Sequence, residues 1–265
     1  MEEAVKWDPL KYVQFGDYRD RPFFDLTARI HADRPQQVVD LGCGPGNLTA
    51  TLARRWPEAQ VVGLDSSAEM LAKAAVRADA QPGLTFELAD IAHWMPSAET
   101  DVVVTNAALQ WVPGHRDMLG RWLAALRPGS WFGMQVPGNF NAPSHTLLRE
   151  LAATARWAPL LKDVLRGEES VGEPADYLRM MLDSGCTADA WETTYQQVLP
   201  GTDPVLEWVR GTALRPVLAV LSVEEGQAFE AEYAAALRVA YPETRHGTVF
   251  PFRRIFAVAQ KQLPA

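Results

Sequence analysis

Residues 38–47, Val-Val-Asp-Leu-Gly-Cys-Gly-Pro-Gly-Asn, constrain this chain more than any other stretch. An apolar run, VVDL (38–41), meets a turn built on Gly42, Gly44 and Gly46, and LTATLARRW (48–56) follows with helical spacing. A strand, a glycine turn and a helix open a βαβ unit. The glycines let the backbone come close to a ligand, and the helix start offers free N–H groups. The alternation continues downstream. VVGLD (61–65) precedes AEMLAKAAVRA (68–78), LTFEL (84–88) and DVVVTN (101–106) precede a helix over 115–126, and SWFGMQV (130–136) is the next strand. Short apolar strands alternating with helices predict a parallel sheet. Val102, Val103 and Val104 in succession fit a strand covered on both faces.

From 140 onward the pattern changes. A helix is predicted through SHTLLRELAATARW (144–157), a loop over 162–173, a helix over about 175–184, and a β-rich segment in TADAWETTYQQVL (187–199). Two helices follow, near 203–212 and 222–240. The second opens on a capping box, Ser222 with Glu225, and carries Phe229, Tyr233 and Leu237 as one apolar stripe. TVFPFRRIFAVAQ (248–260) closes the chain as a strand. The expected fold is α/β, a doubly wound, mostly parallel seven-stranded sheet of Rossmann-like type with an antiparallel edge pair. A single domain is expected over 1–265, with a ligand-binding core at 31–139. Segments 1–30, 140–184 and 200–247 should form a helical cap over a substrate site.

Charge narrows the partners. With 25 Lys and Arg against 33 Asp and Glu, the net charge is −8, and no basic run is present. This argues against a nucleic-acid partner, whose phosphates need a cationic face. A small anionic substrate answers to local charge only and remains open. The first residues, MEEAVKWDPL, have no apolar core of a signal peptide, and no stretch approaches the roughly 20 apolar residues of a membrane span. The expectation is a cytoplasmic protein with no membrane partner. Cys43 and Cys186, far apart in sequence, read as free thiols, and no metal-ligand spacing is present. The assembly is left between a monomer and a homodimer.

The loops after the strands specify the ligand. A dinucleotide site would carry G-x-G-x-x-G for a pyrophosphate. Here the third glycine, Gly46, comes one position early, and Asp40 precedes the first, Gly42, by two. An acid beside the turn suits a ligand with an ammonium group. S-adenosylmethionine (SAM) has one, together with a carboxylate and no phosphate. Asp40, Gly42, Gly44, Gly46 and Asn47 would hold its methionine end. Asp65 would accept the ribose hydroxyls, with Ser66 and Met70 beside it, although Asp65 alone also fits an NAD site. A capping box of Ser66 with Glu69 is the plain alternative for this turn. Asp90 would accept the adenine amino group with Ile91 against the ring, and a nicotinamide cofactor has no need of that third acid. Asn106 through Gln110, Leu109 among them, would line the methionine and methyl end, and Trp111 would wall the reaction centre or fill the core.

These segments resemble the class I SAM-dependent methyltransferases. Over nearly the whole chain the sequence is similar to the trans-aconitate 2-methyltransferase family. The similarity runs through Tyr12, Arg19-Asp20-Arg21-Pro22, VVDLGCGPGN, GLDSS, NAALQW and Pro137-Gly138-Asn139. It continues in His145, Arg149-Glu150, Gly185-Cys186, the W-x-T-T-Y of 191–195, the 208–216 stretch ending Leu-Arg-Pro, and Arg254-Ile255-Phe256. Segment 158–173 and FPFRR (250–254) depart from the family pattern.

The resemblance implies transfer of a methyl group to a carboxylate of a small polycarboxylic acid, giving a monomethyl ester. A carboxylate is already ionised at pH 7, so no general base is required and no catalytic residue is assigned. Positioning and exclusion of water should carry the reaction. A polycarboxylate needs cations, and Arg149, Arg166, Arg179, Arg210, Arg215, Arg253 and Arg254 are the candidates. Arg215, after a helix in Leu-Arg-Pro, and Arg254, inside an apolar strand, lead. Strict alternation lets only one of Arg253 and Arg254 face a pocket. Tyr12, His145 and Tyr195 are hydrogen-bond donors for the same substrate. Arg21 would reach a ligand carboxylate, or else pair with Asp25 four residues on. The rival readings are a methyltransferase for another small acid or a phenol, and a non-catalytic SAM sensor.

Overall fold

The computed structural model describes residues 16–78, 81–162, 164–165 and 171–263. Tyr12 and Arg166 lie outside the described residues. The chain divides into two compact units, one holding 16–136, 171–192 and 255 onward, the other holding 137–165 and 193–254 among the described residues.

The first unit is the parallel sheet and its helices. Helix α1 (Gly16–Thr27) leads to β1 (Gln37–Leu41), α2 (Thr49–Arg55), β2 (Gln60–Asp65), α3 (Ala68–Ala78) and β3 (Leu84–Leu88). Then come β4 (Thr100–Asn106), α4 (His115–Ala125) and β5 (Trp131–Pro137). These boundaries agree with the sequence reading to within a residue or two. Strands β1 to β5 pair in parallel in the order β3-β2-β1-β4-β5. Val38, Val102 and Val104 are fully buried, as a strand covered on both faces requires. One face of β5, Phe132, Met134 and Val136, packs with Met118, Leu119 and Trp122 of α4. Opposite them, a Cβ on Gly133 would meet Ile30 at 2.9 Å and Leu26 at 3.5 Å, so the other face lies against the end of α1 and the turn after it.

In the second unit, α5 (Pro143–Ala152) and α6 (Ala158–Leu161) come first. After α7 (Pro174–Asp183), which belongs to the sheet unit, strand β6 (Cys186–Leu199) carries the chain back at Glu192–Thr193. Helices α8 (Pro204–Arg210), α9 (Arg215–Val220) and α10 (Val223–Ala240) follow, then β7 (Glu243–Thr244) and β8 (Gly247–Lys261). The stripe Phe229, Tyr233 and Leu237 is buried among Trp157, Leu148, Val209 and Val217. The predicted capping box at Ser222 forms in both directions, Glu225 N to Ser222 Oγ at 3.3 Å and Ser222 N to Glu225 Oε2 at 3.0 Å.

Strands β8 and β6 complete the sheet order as β5-β8-β6. Ladder bonds join Gly129 with Lys261 and Gly138 with Arg253, so rising numbers on β5 meet falling numbers on β8 and the pair is antiparallel. The seven-stranded expectation is corrected to eight by the two-residue β7, which pairs with β8 across a tight turn. Two helices also differ from expectation. The run predicted over 144–157 stops at Ala152, where Thr154 turns its hydroxyl back to the Leu151 carbonyl at 2.8 Å. Beyond that break Trp157 is buried edge-on to Phe229 at 5.2 Å, and this packing overrides the helical periodicity. The helix predicted near 203–212 ends at Arg210, and a further short helix starts at Arg215 with Pro216 in its first turn.

Candidate functional site

The glycine turn is built as the spacing predicts. Gly42, Gly44 and Gly46 all take positive φ, at 76°, 56° and 73°. Two of them have different reasons to be glycine. A Cβ on Gly42 would stand 2.4 Å from the Cβ of Ala108, so the turn after β1 presses on the loop after β4. A Cβ on Gly44 would meet nothing within 4 Å, and the space over that peptide is open to a ligand. Ala107, next to this contact, is itself left-handed at φ 55°, an uncommon state for alanine that its neighbours must enforce.

Asp40 is 2% exposed and accepts the Thr49 hydroxyl at 2.6 Å on one oxygen. Burial, reinforced by nearby Asp65 and opposed by Thr49, pushes its carboxyl up to about 7. A cationic group at the turn would return it to the charged form. Asp65 ends β2 and receives Gly44 N on one oxygen and Ser67 N on the other, each at 2.8 Å. It fixes the open peptide of the turn while keeping lone pairs for further donors. The expected Ser66–Glu69 capping box does not form. The helix begins at Ala68, so Ser67 is the capping position, and its hydroxyl accepts Met70 N at 3.3 Å.

Asp90 caps a 3₁₀ turn over Ile91–His93, accepting Ala92 N at 2.9 Å, and stays exposed while Ile91 is buried. Asn106 ends β4. Leu109 and Gln110 are buried in the next 3₁₀ turn, with Gln110 Nε2 donating to the Ala107 carbonyl at 2.6 Å. Trp111 is 37% exposed, so it is not a core residue. Arg21 Nε lies 3.9 Å from Asp25, the i,i+4 pair foreseen for it. Cys43 is a buried free thiol, raised well above its ordinary value by burial and by the two acids, which leaves it unreactive.

An open peptide over a glycine turn, a buried acid that a cation would ionise, and acids after β2 and β3 suit SAM.

The remaining candidates lie in the second unit. Arg254 is 6% exposed on β8, with its guanidinium 4.3 Å over the Phe252 ring, while Arg253 is less buried, as the alternation requires. Tyr195 is buried on β6. Arg215 starts α9 and is half-buried. His145 sits in the first turn of α5, its ring against Phe140 and its Nδ1 3.1 Å from the Ser144 hydroxyl. Arg149 donates to the Phe140 carbonyl at 2.8 Å. Arg210 is held by Glu230 and Glu207, a structural duty between α8 and α10. Among the described residues no cluster of three His, Cys, Asp or Glu side chains could hold a metal, and no helix is long and apolar enough to cross a membrane.

Thr49 and Ser67, whose hydroxyls bond Asp40 and Met70 N, were not foreseen among the candidates. Only Ser67 left a signal, as the serine immediately before the helix.

A sheet of order β3-β2-β1-β4-β5 with this glycine turn and acids at the carboxyl ends of its first three strands defines a class I methyltransferase. Residues 38–129 match the family model described as a methyltransferase domain. The chain is 54% identical to the trans-aconitate 2-methyltransferase of Streptomyces avermitilis, over 99% of this chain and 100% of that one. It is also 54% identical to the enzyme of that name from Rhodococcus jostii, over 97% and 100%. The chain belongs to the trans-aconitate 2-methyltransferase family, and its cofactor is SAM. Among solved structures, the fold is similar to the YcgJ protein of Bacillus subtilis, with TM-score 0.58 and 14% identity over 94% of this chain and 100% of that one. It is also similar to geranyl diphosphate C-methyltransferase from Streptomyces coelicolor, with TM-score 0.54 and 14% identity over 98% and 86%.

Proposed function

We propose that this protein methylates a carboxylate of trans-aconitate to give its monomethyl ester. The observation that carries the reading is 54% identity, over almost the full length of both chains, to proteins bearing that name. Bound SAM would supply an electrophilic methyl group to the carboxylate oxygen and leave as the neutral thioether. No proton moves, so the chain needs no general base. Asp40, Asn47 and the glycine turn would hold the methionine end; Asp65, Ser66 and Met70 the ribose side; Asp90 and Ile91 the adenine. Asn106, Leu109, Gln110 and Arg21 complete that set.

Arg254 and Arg215, with Arg149, His145, Tyr195, Tyr12 and Trp111, are proposed for the substrate. A guanidinium buried among aromatic rings is strongly held and weakly hydrated, which strengthens its hold on a carboxylate. Helical cover of the substrate site, which would keep water from the reaction, belongs to the same proposal. The enzyme is supplied with SAM and trans-aconitate and the product weighed by mass spectrometry. A monomethyl ester is expected, and Arg254→Met should raise KM for trans-aconitate by an order of magnitude or more with SAM binding intact. Turnover of a phenol or an amine with no ester from trans-aconitate would overturn the substrate.

A further inference from the structure

Two amides at the carboxyl end of the sheet stand out. Gln135 on β5 is fully buried, and neither its Oε1 nor its Nε2 has a hydrogen-bond partner. Asn106, its register partner on β4, has a buried Oδ1 in the same condition. Parallel partners present their side chains to the same face, so the two amides are neighbours. Their backbones are also tied, since Ala107 N donates to the Gln135 carbonyl at 2.9 Å. Buried amides are nearly always satisfied, and one that is not costs the folded state. Replacing Gln135 by an apolar residue would remove that cost, so a glutamine here calls for a function. Asn106 beside it is only partly buried, so the pair stands at the edge of the buried interior.

The sheet order says which ligand comes here. Asp90, Asp65 and Asp40 stand at or just past the carboxyl ends of β3, β2 and β1, the places assigned to adenine, ribose and methionine. Strands β4 and β5 come next in line. Each strand adds about 4.8 Å, so Gln135 lies roughly 10 Å beyond the strand that carries Asp40, past the methionine end. We propose that Gln135 is an acceptor-binding residue, its Nε2 donating to the carboxylate that receives the methyl group. This rests on the carboxylate reading above. A neutral amide suits the position. A guanidinium there would draw electron density from the attacking oxygen and repel the positive sulfonium, whereas an amide orients the oxygen and leaves it nucleophilic. Asn106 Oδ1 and Gln135 Oε1, both buried without a donor, are acceptors that would favour the approach of a positively polarised methyl group.

Gln135→Met keeps the side-chain volume and removes the amide. Three measurements are made on wild type and variant: the ligand-free melting temperature, SAM affinity by calorimetric titration, and steady-state kinetics with trans-aconitate and a panel of other small carboxylic acids. The variant should melt at the same or a higher temperature and bind SAM as wild type does. Its kcat/KM for the carboxylate that wild type esterifies should fall 10- to 100-fold, with kcat falling as well as KM rising. A lower melting temperature would mean that the amide serves the fold through internal water, and weakened SAM binding would assign it to the cofactor. Unchanged kinetics with a carboxylate that wild type esterifies would remove Gln135 from the site and leave the substrate class standing. Wild-type turnover of no carboxylate would overturn both.

Discussion

In the sheet unit the ligand-facing groups hang from turns held by backbone hydrogen bonds, whereas in the helical unit the candidate side chains hang from elements placed by aromatic packing. The turn after β1 illustrates the first case: Gly42 N and Cys43 N both donate to the Leu64 carbonyl, Asp65 holds Gly44 N, and Thr49 holds Asp40. Around β8 the second case holds, with Trp208 5.9 Å from Phe250 and 5.5 Å from Phe252, and Tyr241 edge-on to Phe250 at 5.4 Å. Hydrogen-bonded turns tolerate few sequences and suit a ligand that never changes. Packed aromatics allow the side chains among them to vary, which would suit the substrate site proposed for this unit.

The largest test of this contrast is Phe229→Ala. Phe229 is fully buried against Trp157, and its loss should cost about 3–5 kcal/mol of stability. Urea unfolding measures that cost, and calorimetry on the folded variant should find SAM affinity unchanged. A parallel loss of SAM binding would mean that the two regions are not independent.

Acid–base behaviour sharpens the comparison from the other side. The Asp40 carboxyl keeps its proton in the folded chain up to about 7, against an ordinary value of 3.8. Between those values the folded state binds the extra proton, so stability falls as pH rises from about 4 to about 7 and then levels off. The slope should reach about 1.4 kcal/mol per pH unit at its steepest. Asp40→Asn should flatten it, and an unchanged pH profile of unfolding would place the acid elsewhere. SAM, bringing an ammonium, should bind wild type more tightly as pH rises through 7.

Gly42→Ala and Gly44→Ala separate packing from ligand space within one turn. At Gly42 both the left-handed backbone and the 2.4 Å approach to Ala108 oppose a methyl group, and about 2–4 kcal/mol of stability should be lost. At Gly44 only the backbone opposes it, so roughly 1–2 kcal/mol should be lost while SAM affinity drops more than at any packing position. Equal melting temperatures for the two variants would refute the distinction. Asp65→Ala should weaken SAM binding by roughly 1.5–3 kcal/mol for each charge-assisted hydrogen bond lost. Calorimetric titration with unchanged affinity would leave Asp65 only its bonds to Gly44 N and Ser67 N.

The sequence by itself determined the parallel sheet, the glycine turn, the acids at the carboxyl ends of β1, β2 and β3, and the capping box at Ser222. Each is a local matter: apolar runs, positive-φ glycines, and a hydroxyl three residues before a glutamate act over a few positions and leave a mark at fixed spacing. Tertiary structure alone decided the break after Ala152, the Thr49 bond to Asp40, the left-handed Ala107 and the unsatisfied amide of Gln135. None of these has a local cause. Trp157 leaves the helix because Phe229, distant in sequence, packs against it. Ala107 is left-handed beside a loop pressed on Gly42 by the pairing of β1 with β4. Gln135 reads as an ordinary strand residue until its register with Asn106 shows two amides buried side by side. Burial and register are properties of the whole chain, and a side chain acquires them only when the strands are laid next to one another.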